Sequence, residues 1–395
     1  MRHSDRLLEV DGLRAIAVAL VVAQHCNIMP IGWTGVWIFY VISGYVITRN
    51  FLIDNNNSES NSLQLYNFFI KRASRIIPVY LLYLAVGVII YSYVRDSSYL
   101  SGVPSMLTFT YNWFLIFQTD VNADSQIFSH LWSLSVEEQF YILYPIIFIF
   151  LYRNTYIFLI LSLIILAPAI RYIYIDVMGS FGLPPTRASW AVYHSSIAQF
   201  DAFLVGAFIA NWEPRIRCNP DRYVRIAGFA AACGAFYLVY VALRQYDEME
   251  GRLRNLSINV YPGGLIGGGL ELFVYSAINA ITACILILAL LHVRSLQFLS
   301  APRLVMIGRI SYGIYLYHGL VFWLINYHVM PQTFGESSII ARVGWCAVVF
   351  VLSITIAYYS FYRFELPVMR VIRRRHLSAA GPASVPPTSA LPDPP

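Results

Sequence analysis

The stretch Leu8–Asn27, LEVDGLRAIAVALVVAQHCN, decides the class of the whole chain. It is long and apolar enough for a membrane-spanning helix, yet it carries Asp11, Arg14 and His25. Hydrocarbon tolerates such groups only when others stabilise them. At about 100° per residue, the step from Arg14 to His25 returns to within about 20° of the same azimuth, and Asp11 lies about one turn below Arg14. The three share one stripe, which must face protein or a water-filled cavity. Helical rise puts His25 about 16 Å beyond Arg14, roughly half the thickness of a hydrocarbon core. A polar line across a membrane suggests a route.

The rest of the composition agrees. With 58% hydrophobic and only 12% charged residues, a chain of 395 residues cannot hide its apolar surface in a water-soluble domain. An all-α polytopic membrane protein is expected. Arg2, His3 and Arg6 precede the first apolar stretch, but its length and internal charges mark a retained helix rather than a signal peptide. The five cysteines are scattered, without metal-ligand spacing, so neither disulfides nor a metal site is expected. The net charge of +6 collects at the edges of apolar runs, which suits membrane topology better than nucleic-acid binding.

Apolar runs of spanning length fall at 8–28, 33–53, 75–95, 131–151, 154–176, 195–212, 223–243, 269–291, 304–328 and 340–362, about ten transmembrane helices. The piece at 103–118 is short, begins after Pro104, and reads as re-entrant or interfacial. With the N-terminus in the cytoplasm, 19 basic residues fall on the cytoplasmic side and 7 outside, Arg14 lying within the first span. This asymmetry favours cytoplasmic termini, with Arg14 near the cytoplasm and His25 near the outer face. The loop at 54–63 is polar, and those at 177–194 and 244–266 are long enough to cover a cavity. The domain expected at 1–376 is followed at 377–395 by a Pro/Ala/Ser-rich cytoplasmic tail too poor in apolar surface to fold.

Lys71, Arg72 and Arg75 sit at the cytoplasmic edge of the third span, with Arg72 and Arg75 one helical turn apart. Topological anchoring and contact with anionic lipid would explain them. So would a phosphate clamp, because two guanidinium forks on one face match a diphosphate. Glu137 and Glu138 lie two turns into the fourth span, after His130 and Trp132. Adjacent carboxylates in an apolar helix point about 100° apart and need different partners. One could pair with Arg14, or could orient an imidazole as a general base requires. His25 is the first choice for that imidazole because it aligns with Arg14. His318, near the middle of the ninth span, is a second candidate that aromatic neighbours could satisfy structurally. Asp201 reads as a helix-end or interhelical partner and Glu365 as a cytoplasmic-edge contact. GxSxG, P-loop and HExxH signatures are absent, and the glycines at 263–269 read as a flexible loop.

These blocks, in this order, resemble the acyltransferase 3 family of integral-membrane O-acyltransferases. The carriers are DGLRAIAVALVVAQH (Asp11–His25), GVWIFYVISGYVI (Gly35–Ile47, with Ser43), KRASRIIPVY (Lys71–Tyr80), HLWSLSVEEQFYILYP (His130–Pro145), FDAFLVGA (Phe200–Ala207), ISYGIYLYH (Ile310–His318) and YRFELP. The resemblance implies ten spans in the bacterial inner membrane. It also implies acyl-CoA as co-substrate, acetyl-CoA foremost, reached from the cytoplasm without a metal. The acceptor would be a hydroxyl of a surface polysaccharide, lipopolysaccharide or glycolipid. Carried over by position, Arg14 and His25 match the family's Arg-to-His pair, Arg72 and Arg75 its RxxR pair, and Glu137 its acidic position. The expected catalytic set is His25, Glu137 and Arg14, with Glu137 holding the imidazole. Arg72, Arg75 and Lys71 would bind the donor, and Asp11, Glu138, Trp132, His318 and Ser43 would support. Some relatives carry a fused SGNH domain; this chain resembles stand-alone members, which would need a separate extracytoplasmic transferase or an acceptor that reaches the cavity. Gln199 departs from the family, where Arg is common.

Two other classes compete. A transporter of a lipid-linked glycan or polar solute also needs intramembrane charges, but has no need of a phosphate clamp at one mouth. A scaffold leaves the aligned charges unexplained.

Overall fold

The computed structural model describes residues 7–56, 60–94, 98–118, 127–151, 156–248, 269–328 and 338–379, and every regular element among them is helical. In chain order they are α1 (Leu8–His25), α2 (Thr34–Asn56), α3 (Asn61–Tyr93), α4 (Val103–Leu107), α5 (Tyr111–Phe117), α6 (Leu131–Leu151), α7 (Tyr156–Ser180) and α8 (Pro185–His194). There follow α9 (Ser196–Cys218), α10 (Pro220–Glu248), α11 (Glu271–Leu290), α12 (Pro302–Arg309), α13 (Ser311–His328), α14 (Ile339–Ser360) and α15 (Leu366–Ala379). A π turn, Phe361–Glu365, links α14 to α15.

Among the described residues, seven helices are long and apolar enough to cross a membrane: α2, α3, α6, α7, α10, α11 and α14 with its continuation. The bent pair α12 and α13 makes an eighth if counted as one span. The expected spans at 8–28 and 195–212 are also helices, α1 and α9, but their polar and charged residues keep them out of that class. Large apolar side chains stand exposed along α6, α7, α10 and α14, as lipid-facing surfaces require. The chain is an all-α polytopic membrane protein.

Several boundaries differ from those expected. The third span was placed from residue 75, yet α3 begins at Asn61 behind Ser60, whose hydroxyl caps the Leu63 amide. Lys71, Arg72 and Arg75 therefore lie inside a 33-residue helix rather than at its edge. The ninth span, expected as one helix over 304–328, is broken at Ile310 with a bend of 70°. The region 103–118 holds two short helices, α4 and α5, neither long enough to cross. The region 177–194, expected as an outer loop, is mostly helical, through the end of α7 and α8. Helix α15 continues to Ala379; residues 380–395 of the expected tail, most of 244–266 and Gly263, Gly264, Gly267 and Gly268 lie outside the described residues.

Two devices hold the bundle around its centre. Helices α2 and α9 meet backbone to backbone: a Cβ on Gly44 would stand 1.9 Å from the Phe203 carbonyl oxygen, and one on Gly206 1.9 Å from that of Val41. Only glycine permits this approach, the small-residue packing that apolar helices use where hydrophobic association is weak. The second device is Arg171 on α7, counted above among the outer-side charges but fully buried. It donates to Asp201 Oδ2 on α9 at 2.6 Å, to the Ala198 carbonyl at 3.0 Å, and to Leu272 O and Ser276 Oγ on α11 at 3.0 and 2.9 Å. Asn279 adds a bond to Asp201 at 3.1 Å, so Asp201 is the interhelical partner that one reading of the sequence allowed. This charge is answered entirely by protein.

Removing one partner of such a buried pair leaves the other uncompensated, at a cost of about 3–5 kcal/mol. Arg171→Met should therefore lower the thermal unfolding midpoint of the detergent-purified protein sharply, and Arg171→Met with Asp201→Leu should restore part of the loss. An unchanged midpoint in the single variant would show that the pair does not tie α7 to α9.

Candidate active site

Five helices direct polar side chains into one cavity. Arg14 comes from α1, Tyr40 and Ser43 from α2, and Arg72 and Arg75 from α3. Ser133, Glu137 and Tyr141 come from α6, and Ser311, Tyr312 and Tyr315 from α13. Each set follows helical spacing, as in 133, 137, 141, so one face of each helix is polar. Val36, Phe39, Ile76 and Leu134 complete the wall.

The charges are unequally balanced. Arg14 pairs with Asp11 at 3.7 Å, and Asp11 also meets Arg309 at 4.0 Å. The Arg72 guanidinium lies over the Tyr141 ring, 4.4 Å from its centre. The Tyr141 hydroxyl donates to Glu137 Oε1, and Ser43 donates to the same oxygen at 2.6 Å. Arg14, Arg72 and Arg75 act electrostatically on one another, with Glu137 near Arg14 and Glu365 near Arg75. Yet among the described residues neither Arg72 nor Arg75 lies within 4.0 Å of a carboxylate. The break at Ile310 brings the first turn of α13 to the same cavity, adding the partial positive charge of a helix N-terminus. Among the residues lining the cavity, Arg14, Arg72 and Arg75 stand against one carboxylate, Glu137.

Beyond Tyr315 stands a row of three imidazoles. The His25 ring centre is 4.9 Å from that of His318, and His318 is 4.7 Å from His130. Tyr315 joins them to the cavity it lines: its ring is 5.4 Å from His318 and 5.5 Å from His130, and its hydroxyl donates to the His130 carbonyl at 3.1 Å. His25 itself does not line the cavity. The expected contact of Glu137 with His25 is not formed. Glu137 is held by Ser43 and Tyr141, because its place on α6 turns it toward α2 and α3, and the ring beside His25 is His318.

The other expected residues divide. Ser43 lines the cavity and Asp11 supports Arg14. Lys71 is exposed, about 100° around α3 from Arg72, and takes no part in the cavity. Glu138 lies outside the cavity lining, in electrostatic reach of Arg72, Tyr80 and Tyr312. Trp132 joins an aromatic cluster, 4.8 Å from Tyr193 and 4.6 Å from His194. Glu365, expected as an edge contact, is buried and accepts from Ser360 at 2.9 Å. Gln199 accepts from the Trp37 indole at 2.9 Å and donates to the Val192 carbonyl at 2.8 Å, a neutral structural bridge. Sequence reading missed the tyrosines and His130 as members of the site. Their signal was present in polar residues at 133, 137, 141 and at 311, 315, 318, recurring on one helical face within apolar runs.

The chain is similar in sequence to known proteins. Peptidoglycan O-acetyltransferase OatA of Listeria monocytogenes is 30% identical over 393 residues, covering 93% of this chain and 57% of its own. YrhL of Bacillus subtilis, named provisionally for the same activity, is 30% identical over 342 residues, covering 80% of this chain and 49% of its own. The chain thus spans about half the length of the curated relatives it matches. No solved structure matches it. A family model described as an acyltransferase domain matches residues 7–362, and with it the whole constellation from Arg14 to Tyr315: the chain belongs to the acyltransferase 3 family.

Proposed function

We propose that this protein is an acyl-CoA-dependent O-acyltransferase of the bacterial inner membrane, moving an acetyl or other short acyl group to a carbohydrate hydroxyl. The observation that carries the donor assignment is the pair Arg72 and Arg75, which among the described residues have no carboxylate within 4.0 Å, in a cavity that Arg14 also enters. Cations inside an apolar bundle that lack a close carboxylate are costly, and a bound diphosphate would supply bidentate partners. The acceptor class rests on the relatives, whose names specify peptidoglycan O-acetylation. A purely transporting role gains nothing from the family match.

In this reading CoA phosphates sit against Arg72 and Arg75 from the cytoplasmic side, and the pantetheine arm runs past Arg14 and Tyr315 toward His25. His25 removes the proton from the acceptor hydroxyl as its oxygen attacks the thioester carbonyl. The carbon–sulfur bond breaks, and the proton passes from His25 to the leaving thiolate. Holding both reactants in one site replaces a bimolecular encounter. Glu137 holds Tyr141 and Ser43 in the wall and offsets part of the cationic charge. The acceptor arrives from the outer side, directly or through a separate extracytoplasmic transferase.

His25→Ala should abolish O-acylation in cells while the protein is inserted and recovered normally; normal glycan acylation by mass spectrometry would refute the base assignment. Arg72→Ala with Arg75→Ala removes two charge-assisted contacts of about 1.5–3 kcal/mol each, so donor affinity should fall about a hundredfold or more. Unchanged acetyl-CoA binding to the purified double variant would refute the clamp.

A further inference from the structure

A general base needs its second nitrogen held, and the carboxylate expected to do so is engaged elsewhere. The tautomers of the two neighbouring histidines follow from their partners. His318 Nδ1 faces the Tyr315 carbonyl at 2.5 Å, and His130 Nε2 faces the Leu316 carbonyl at 3.2 Å. A carbonyl oxygen only accepts, so in each ring that nitrogen carries the hydrogen. The opposite nitrogens, His318 Nε2 and His130 Nδ1, are left as bare lone pairs, both buried and without a hydrogen-bond partner among the described residues. Buried acceptors are seldom left unmatched, because the lost hydration is not recovered. His318 is wholly inaccessible, and the ring of His25 stands 4.9 Å away, tilted by 59°. The ionisable side chains acting on His318 are His130 and His25.

We propose that His318 is the positioning residue of His25. Its bare Nε2 accepts the N–H of His25 turned away from the substrate, after a small ring rotation or through one water. This rests on His25 being the general base. The bond selects the tautomer whose other nitrogen is free to take the hydroxyl proton, and it stabilises the imidazolium formed when that proton arrives. His318 keeps its own Nδ1 hydrogen throughout; the transferred proton resides on His25 and leaves on the thiolate sulfur. His130 backs the row as a second neutral acceptor, with its orientation fixed by Leu316 and its backbone by Tyr315. A neutral imidazole thus fills the place that a carboxylate fills in a triad.

The test uses the full-length enzyme in proteoliposomes, with acetyl-CoA as donor and initial rates measured across pH. His318→Phe keeps a ring of similar shape without an acceptor, and His318→Gln restores an acceptor without a ring. His318→Phe should lower kcat about ten- to a hundredfold with KM for acetyl-CoA unchanged, and His318→Gln should recover most of that loss. Removing the acceptor destabilises the His25 imidazolium, so the acid limb of kcat/KM should move to lower pH in His318→Phe and return in His318→Gln. If the phenylalanine variant is not recovered folded, His318→Leu replaces it against His318→Gln. A Phe or Leu variant with wild-type kcat and pH profile, beside an inactive His25→Ala enzyme, overturns the inference alone. An active His25→Ala enzyme overturns the base assignment beneath it.

Discussion

A guanidinium group in an apolar bundle must be answered, and how each one is answered organises this molecule. Arg171 is answered completely by Asp201, two carbonyls and a serine hydroxyl, and so becomes a tie between α7, α9 and α11. Arg14 is answered in part by Asp11. Arg72 has the face of Tyr141, and neither it nor Arg75 has a carboxylate within ion-pair distance among the described residues. The same chemical group is thus structural where protein satisfies it, and under the proposed function it is a binding element where protein does not. Buried pairs contribute little net stability but are expensive to break, which suits Arg171 to holding register. Cations without a close carboxylate are costly in an empty cavity, and a neutralising anion would relieve that cost.

The remainder of the fold serves to hold these two kinds of arginine apart. The glycine contact of α2 with α9 brings Tyr40 and Ser43 to the cavity while placing Trp37 against Gln199. Gly308 and Gly12 let α12 and the segment before it lie on the backbone of α1, with Asp11 O and Leu299 O as the contact points. That close packing accompanies the bend at Ile310, and the bend turns Ser311, Tyr312 and Tyr315 inward. One helix, α13, then carries both the cavity wall and His318, so the arginine-lined cavity and the imidazole row share an element.

Much of this was legible in the sequence. Length and apolarity located most of the helices, and the spacing of Arg72 from Arg75 put both on one face of α3, the face that lines the cavity. What was not legible depended on contacts distant in sequence. The N-terminal half of α3 is too polar to announce itself as part of a span, so the edge of the helix was placed fourteen residues late, at 75 instead of Asn61. Lys71 adjoins Arg72 in sequence but points to another face. The Ser43 contact of Glu137 depended on how α6 rotates against α2, which no local pattern reveals, whereas Tyr141 lies four residues along the same helix. His130 and His318 are 188 residues apart, and only the packed bundle brings their rings to 4.7 Å. The break at Ile310 fell inside an apolar, aromatic run that reads as continuous.

The central claim is that one ligand joins the arginine cavity to the imidazole row, with phosphates at one end and thioester at the other. The most direct measurement is photocrosslinking of the purified protein with CoA carrying a photoreactive short acyl group, followed by peptide mapping. Label on the segments holding His25 and Tyr315 to His318, abolished by excess CoA, is the result this arrangement predicts. Label that excess CoA fails to displace, or that maps to lipid-facing residues of α7 or α10, would contradict it.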